Sequence, residues 1–293
     1  MLRVAARGSL LSRIQVQMVS KPLADLGVEV EFIPVKSRAD LNPETHLRSL
    51  GRGAFEAEVN AAVLRGEAEI AVHSMKDLPT DMDERLHVLG VLKRDSPLDA
   101  ILPNNSLRDL EPGSRVGTSS ERRANFVLFS RPDLKVTPIR GNVDTRVNKQ
   151  REGLVDALIL AEASIVRLGL NVNYGVFDPT ELTPEANQGA VALVSRVDFK
   201  PPRELLSILD ETSLVEVKAE REVVREVGGG CSFPLGVLFR SEGNYLMGIA
   251  SYITPKLKIT VEGRFPSHPL DAGRSLSQGL RRAISDAGAM AET

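Results

Sequence analysis

Apolar positions in this chain fall into two spacings that take turns along it. Short β-type runs such as "LRVAA", "VEVEFIPV" and "AEIAVHS" alternate with helix-spaced stretches beginning at Ser9 and near residues 54 to 65. The same alternation returns as "SRVGT", a helix from about Ser119, "LKVTPI", a helix from Asn142 and "DALILA". Strands alternating with helices predict α/β layers with largely parallel strands. About 90 residues per half predicts two lobes rather than one large sheet. The pattern changes after "KPPRELL". An amphipathic helix "SLVEVKAEREVVREV" leads to the strands "PLGVLF", "YLMGIASYI" and "LKITVEGRF", then to a last helix with Leu276, Leu280, Ile284 and Ala287 on one face. This predicts a smaller α+β domain at the C-terminal end. The segments "LKRDSPLDAILP" and "FDPTELTPEANQG" read as the crossings between lobes. The expected domains are therefore residues 1–94 with 188–208, residues 97–184, and residues 211–293.

Composition narrows the class. The 293 residues are 42% hydrophobic and 26% charged, with a formal net charge of −2, which argues against a general nucleic-acid binder. Arg3, Arg7 and Arg13 interrupt any apolar core of a secretory signal, and "LVDALILAEASIV", the best membrane-span candidate, contains Asp156 and Glu162. One cysteine closes no intrachain disulfide, so a reducing cytoplasm is the expected setting.

Against that nearly neutral total, nine Lys or Arg face three acids between Arg115 and Arg151. Their placement carries the reading. In "GTSSERRANF" Ser119 or Ser120 is suited to cap a helix whose first turn holds Arg122 and Arg123, where the helix dipole disfavours cations. An anion bound at that N-terminus reverses the sign. "IRGNVDTR" repeats the arrangement with Arg140 and Arg146, "ARGSLLSRIQ" with Arg7 before a Ser9 cap, and Lys76 stands at a fourth strand end. Ligands of doubly wound sheets sit beyond the carboxyl ends of the strands. A polyanion with several carboxylates or phosphates, bound between the lobes, is the expected ligand; solvated helix faces are the plain alternative for any one of these cations.

One acid interrupts the basic rim. Asp77, in "AVHSMKDLP", is placed to stabilise a cationic intermediate or to exchange protons with a substrate amine, unless it merely belongs to a surface loop. Histidines 46, 73, 87 and 268 lack metal-ligand spacing, so no metal is expected. No dinucleotide-binding, Walker or serine-hydrolase motif is present. Cys231, behind three glycines in "VGGGCSFPLG", is either a buried small residue or a thiol that works alone, better suited to a tether than to a nucleophile.

Taken in order, "ARGSLLSRIQ", "AEIAVHSMKDLPT", "VGTSSERRANFVLFSRPDLKVTPIRGNVDTRVNK", "DALILAEASIVRLGL", "NQGAVAL" and "GGGCSFPLG" resemble the porphobilinogen deaminase (hydroxymethylbilane synthase) family. The resemblance covers most of the first 240 residues. It implies two lobes like those of periplasmic binding proteins, plus a third domain whose Cys231 holds a dipyrromethane cofactor by a thioether. The implied activity joins four porphobilinogens head to tail into hydroxymethylbilane, with release of ammonia, in a cytoplasmic monomer without nucleic-acid or membrane partners. Asp77 takes the place of the catalytic aspartate. Ser74, Lys76, Thr118, Ser119, Ser120, Arg122, Arg123, Arg140, Gly141 and Arg146 take those of cofactor contacts, and Arg7, Ser9, Gln15, Arg140 and Gln188 those of substrate contacts.

The chain departs from the family pattern at Ala6 for Thr, Ser12 for Ala, "LGRGAF" for a "GGKG" loop, Asn187 for Gly and Ser195 for Glu. A non-catalytic two-lobed anion receptor or effector-sensing domain is the competing reading, since one fold supports both. A cysteine-nucleophile hydrolase is a weaker third.

Overall fold

The computed structural model describes residues 1–36, 56–228 and 233–288. The chain forms two compact units, Met1–Asp95 with Gly189–Leu214 and Ser96–Gln188 with Val215–Thr293. The fold is mixed α/β.

Unit 1 opens with β1 (Leu2–Arg7), α1 (Leu10–Asp25), β2 (Val30–Val35), α2 (Ala57–Leu64), β3 (Ile70–Ser74) and β4 (Leu86–Val91), and is completed by β10 (Val191–Arg196) and α6 (Arg203–Ser207). Its sheet has the order β2-β1-β3-β10-β4. β1 is parallel to β2 and β3, while β10 runs antiparallel to β3 and β4. The inner strands β3 and β10 are buried along nearly their whole length, which is why they read as unbroken apolar runs. Helix α1 starts where Ser9 Oγ accepts the Ser12 N–H at 3.3 Å, and buries Val16, Val19 and Leu23 against Val4, Ile70 and Leu193.

Unit 2 repeats the plan. β5 (Asp99–Leu102), β6 (Arg115–Gly117), α3 (Glu121–Ser130), β7 (Lys135–Thr137), α4 (Val143–Arg151), β8 (Ala157–Ala161), α5 (Glu162–Arg167) and β9 (Gly175–Val176) build a sheet of order β7-β6-β8-β5-β9. Here too three parallel strands are followed by one reversed strand, β5. The same unit holds a three-stranded antiparallel sheet, β11 (Leu235–Glu242), β12 (Tyr245–Ile253) and β13 (Lys258–Pro266). It packs with α7 (Glu211–Val227) and α8 (Pro269–Asp286) around Val223, Phe239, Leu246 and Leu276.

The residues expected to form the second and third domains thus fall within one compact unit, which contains two sheets. Leu276, Leu280 and Ile284 line the buried face of α8 as the spacing predicts. Ala287 does not: the helix ends at Asp286, and Ala287 caps it in an exposed position. Among the described residues no helix is long and apolar enough to cross a membrane, and no cluster of side chains is arranged to hold a metal ion.

Candidate functional site

Each sheet delivers polar groups from the carboxyl ends of its parallel strands. In unit 1 β1 ends at Arg7, just before the Ser9 cap, and β3 ends at Ser74, followed by a 3₁₀ turn, Met75–Asp77. That turn is held from three sides. Met75 is 1% exposed and its N–H donates to Ala190 O at 3.0 Å. Gln15, itself buried, donates through Nε2 to Ser74 Oγ at 2.8 Å. His73 Nε2 lies 2.9 Å from Asn60 Oδ1, with both residues buried. An amide oxygen only accepts, so Nε2 carries the proton. The result is a fixed strand end from which Asp77 stands exposed and Lys76 half-buried. Gln15 thus orients the Ser74 hydroxyl.

Burial, with the nearby Arg7 charge second, pushes the His73 pKa down to about 3. His73 is neutral at working pH and takes no part in proton transfer. Its ordinary value is 6.5, so between about pH 3 and 6.5 the unfolded chain binds a proton that the folded chain refuses. Stability conferred by a neutral His73 is complete above that window and falls as pH drops through it, by about 1.4 kcal/mol per unit. His73→Gln keeps an N–H donor for Asn60 but no titration, and flattens the slope of unfolding free energy between pH 5 and 6.5. A slope like that of the wild type in urea titrations of this variant contradicts the assignment.

In unit 2 the first rim segment follows β6. Thr118 is buried, with its N–H on Thr137 O at 3.1 Å and its Oγ1 accepting the Ser120 N–H at 3.1 Å. Ser119 Oγ donates to Ile139 O at 2.6 Å, and Ser120 is the N-cap of α3. The second segment follows β7. Arg146 Nε donates to Gly141 O at 2.8 Å and Lys149 Nζ to Arg140 O at 3.1 Å, which ties the turn to α4. Gly141 has φ +110°, and a Cβ there would lie 2.7 Å from Thr145 Cγ2, so only glycine fits.

Arg122 and Arg123 meet an anion inside the chain. Asp99, at the start of β5 and 0% exposed, lies 2.8 Å from Arg122 Nη1 and 2.6 Å from Arg123 Nη2. Burial alone would raise the Asp99 pKa; the two guanidinium charges more than reverse this and hold it well below the usual carboxylate range. Gln188, 0% exposed, completes the cluster. Its Nε2 donates to Pro97 O at 2.7 Å, Leu98 O at 3.2 Å and Asp99 Oδ1 at 3.1 Å, and its Oε1 accepts from Arg123 Nη2 at 3.1 Å. The amide is engaged within the unit on both its oxygen and its nitrogen. Cys231, its two preceding glycines and the "LGRG" loop lie outside the described residues.

Residues 2–201 match the family described as "Porphobilinogen deaminase, dipyromethane cofactor binding domain". The chain belongs to the porphobilinogen deaminase family. A "Probable porphobilinogen deaminase" of Saccharolobus islandicus is 44% identical over 286 residues, covering 97% of this chain and 98% of the relative. Another of that name, from Metallosphaera sedula, is 46% identical over 288 residues, covering 98% of each. Among solved structures, a nutrient binding protein from Burkholderia cenocepacia bound to methionine aligns at TM-score 0.44 and 15% identity, covering 79% of this chain and 98% of that one.

The family's cofactor is dipyrromethane, and the residues present fit an anionic ligand of this kind. Arg122 is buried, yet its Nε and Nη2 have no acceptor among the described residues. A buried charged donor without a partner costs about 1–3 kcal/mol or more, and a carboxylate offsets that cost. Asp99, which pairs with Arg122 and Arg123, and Asn60, which holds His73, were not singled out from the sequence. The signal for Asp99 was available: a lone acid opening the apolar strand "DAIL" demands a buried cation. Asn60 carried none beyond its place in a helix.

Proposed function

We propose that the protein joins four porphobilinogen molecules head to tail into hydroxymethylbilane, releasing ammonia from each, on a dipyrromethane primer held by a thioether to Cys231. The observation that carries this reading is the exposed Asp77 carboxylate on a turn locked by Met75, Ser74 and His73, in a chain of this family. When bound, the primer supplies the terminal pyrrole carbon to which the first substrate is joined. Its acetate and propionate carboxylates are bound by Ser74, Lys76, Thr118, Ser119, Ser120, Arg122 and Arg123. Arg140, Gly141 and Arg146 extend that set through a backbone turn that only glycine permits. Arg7 and Ser9 hold the carboxylates of the incoming substrate. Asp77 accepts the pyrrole N–H and stabilises the cation left when the protonated amino group of the aminomethyl arm departs as ammonia, the methylene carbon staying on the ring to bond the next pyrrole. The protein works as a cytoplasmic monomer of three domains, the third bearing the cysteine.

The direct test is incubation with porphobilinogen. The expected result is four ammonia molecules for each hydroxymethylbilane formed. Saturable, reversible binding of porphobilinogen with no ammonia would instead make the protein an anion receptor.

A further inference from the structure

Strand β11 lies at the edge of its sheet, and alternate N–H groups along it find acceptors outside that sheet. Val237 donates to Pro184 O at 2.7 Å, Phe239 to Glu220 Oε1 at 2.9 Å and Ser241 to Glu216 Oε1 at 2.9 Å. Open donors on an edge strand invite pairing with another chain, and here α7 and the segment before Gln188 take them up. Glu220 does more than close the edge. It is 0% exposed, and its second oxygen, Oε2, accepts the Asn187 N–H at 2.6 Å. Among the described residues Asn187 is the one non-glycine with positive φ, at +65°, and it directly precedes Gln188. Only a carboxylate suits position 220. Both of its oxygens must accept, whereas an amide offers one acceptor and turns a donor toward the other N–H.

We propose that Glu220 is a positioning residue for chain growth. It lies on α7, which ends at Val227, and it holds β11, which starts at Leu235; these two elements flank Cys231 in the sequence. One buried side chain thus joins both flanks of the primer's attachment point to each other and to the left-handed turn at Asn187. Further contacts fasten the same stretch of chain to the same sheet. Thr183 Oγ1 lies 2.6 Å from Ser251 Oγ, and Lys258 Nζ donates to Thr180 O at 2.6 Å and Glu181 O at 2.7 Å. Those contacts join sheet and segment, and Glu220 brings in the helix as well. Without it the primer's growing end is held less closely to the groups that act on it, so the reaction slows. Affinity for the incoming porphobilinogen, given by Arg7 and Ser9 in the other unit, is unaffected. This role rests on the cofactor reading above.

The test compares the full-length wild type, Glu220→Gln and Leu276→Ala after incubation with porphobilinogen, by amide hydrogen exchange, intact mass and steady-state ammonia release. In Glu220→Gln, exchange at the Asn187 or the Phe239 amide is expected to speed up by about ten-fold or more, because one of the two loses its acceptor. The variant still gains the primer's mass. Well below its Tm, its kcat falls by about ten-fold with KM within about two-fold of the wild type. Leu276→Ala opens a cavity in the core of the same sheet and lowers Tm by about 5 °C or more, yet keeps the wild-type kcat at the same temperature. Glu220→Asp, a methylene too short to reach both donors, is read in the same way if Glu220→Gln does not fold. The proposal is overturned if the Glu220 variant keeps the wild-type kcat, if it takes up no primer, or if exchange at both amides is unchanged. It is also overturned if Leu276→Ala loses kcat to the same extent, which reduces the effect to stability alone. A wild type with neither adduct nor ammonia release marks failure of the cofactor reading, and the exchange comparison still decides whether Glu220 holds the two segments.

Discussion

Asp77→Asn lowers the rate of ammonia release from porphobilinogen by about 10³-fold and leaves the fold intact. Asn has nearly the shape of Asp, and position 77 is exposed, so the expected stability change lies within about 0.5 kcal/mol. The turn has anchors apart from the carboxylate: Met75 is buried beneath it, and the Ser74 end is tied to Gln15. What the substitution removes is a negative charge where positive charge develops as ammonia departs. An interaction that strengthens in the transition state appears mainly in kcat, with KM for porphobilinogen changing little. Single-turnover ammonia release, with a thermal melt of the same sample, gives both numbers. A variant whose turnover falls by less than about ten-fold contradicts the role given to Asp77.

Much of the scaffold was legible because its signals are local. The run "DALILA" reads as a strand because β8 is buried on both faces, and Ser9 and Ser120 read as caps because each precedes a helix-spaced apolar stretch. Strand direction was not legible in the same way. β5 and β10 look like their parallel neighbours in sequence, and only their pairing with β8 and with β3 and β4 shows them to run the other way. The basic rim was visible as a charge excess, but its internal accounting was not. Asp99 lies 23 residues before Arg122 in the chain, so a pattern within one helix could not reveal that the arginines had a buried partner. The partners of Gln15 and Gln188 were hidden for a related reason: Ser74 lies 59 residues from Gln15 and Asp99 lies 89 residues from Gln188, so neither hydrogen bond could be read from local spacing.

The primer is expected on Cys231, and intact mass measures this most directly. Protein made in a host that supplies porphobilinogen is expected to exceed its sequence mass by two linked porphobilinogen-derived units. Peptide mapping is expected to place that excess on the segment containing Cys231, the only thiol in the chain. Cys231→Ser removes the sulfur needed for a thioether and leaves a hydroxyl too poor a nucleophile to replace it, so the variant is expected at its bare sequence mass and without turnover. Porphobilinogen added to the variant restores neither. A wild-type protein that stays at its sequence mass after incubation with porphobilinogen, or a Cys231→Ser variant that gains the same excess, contradicts the account.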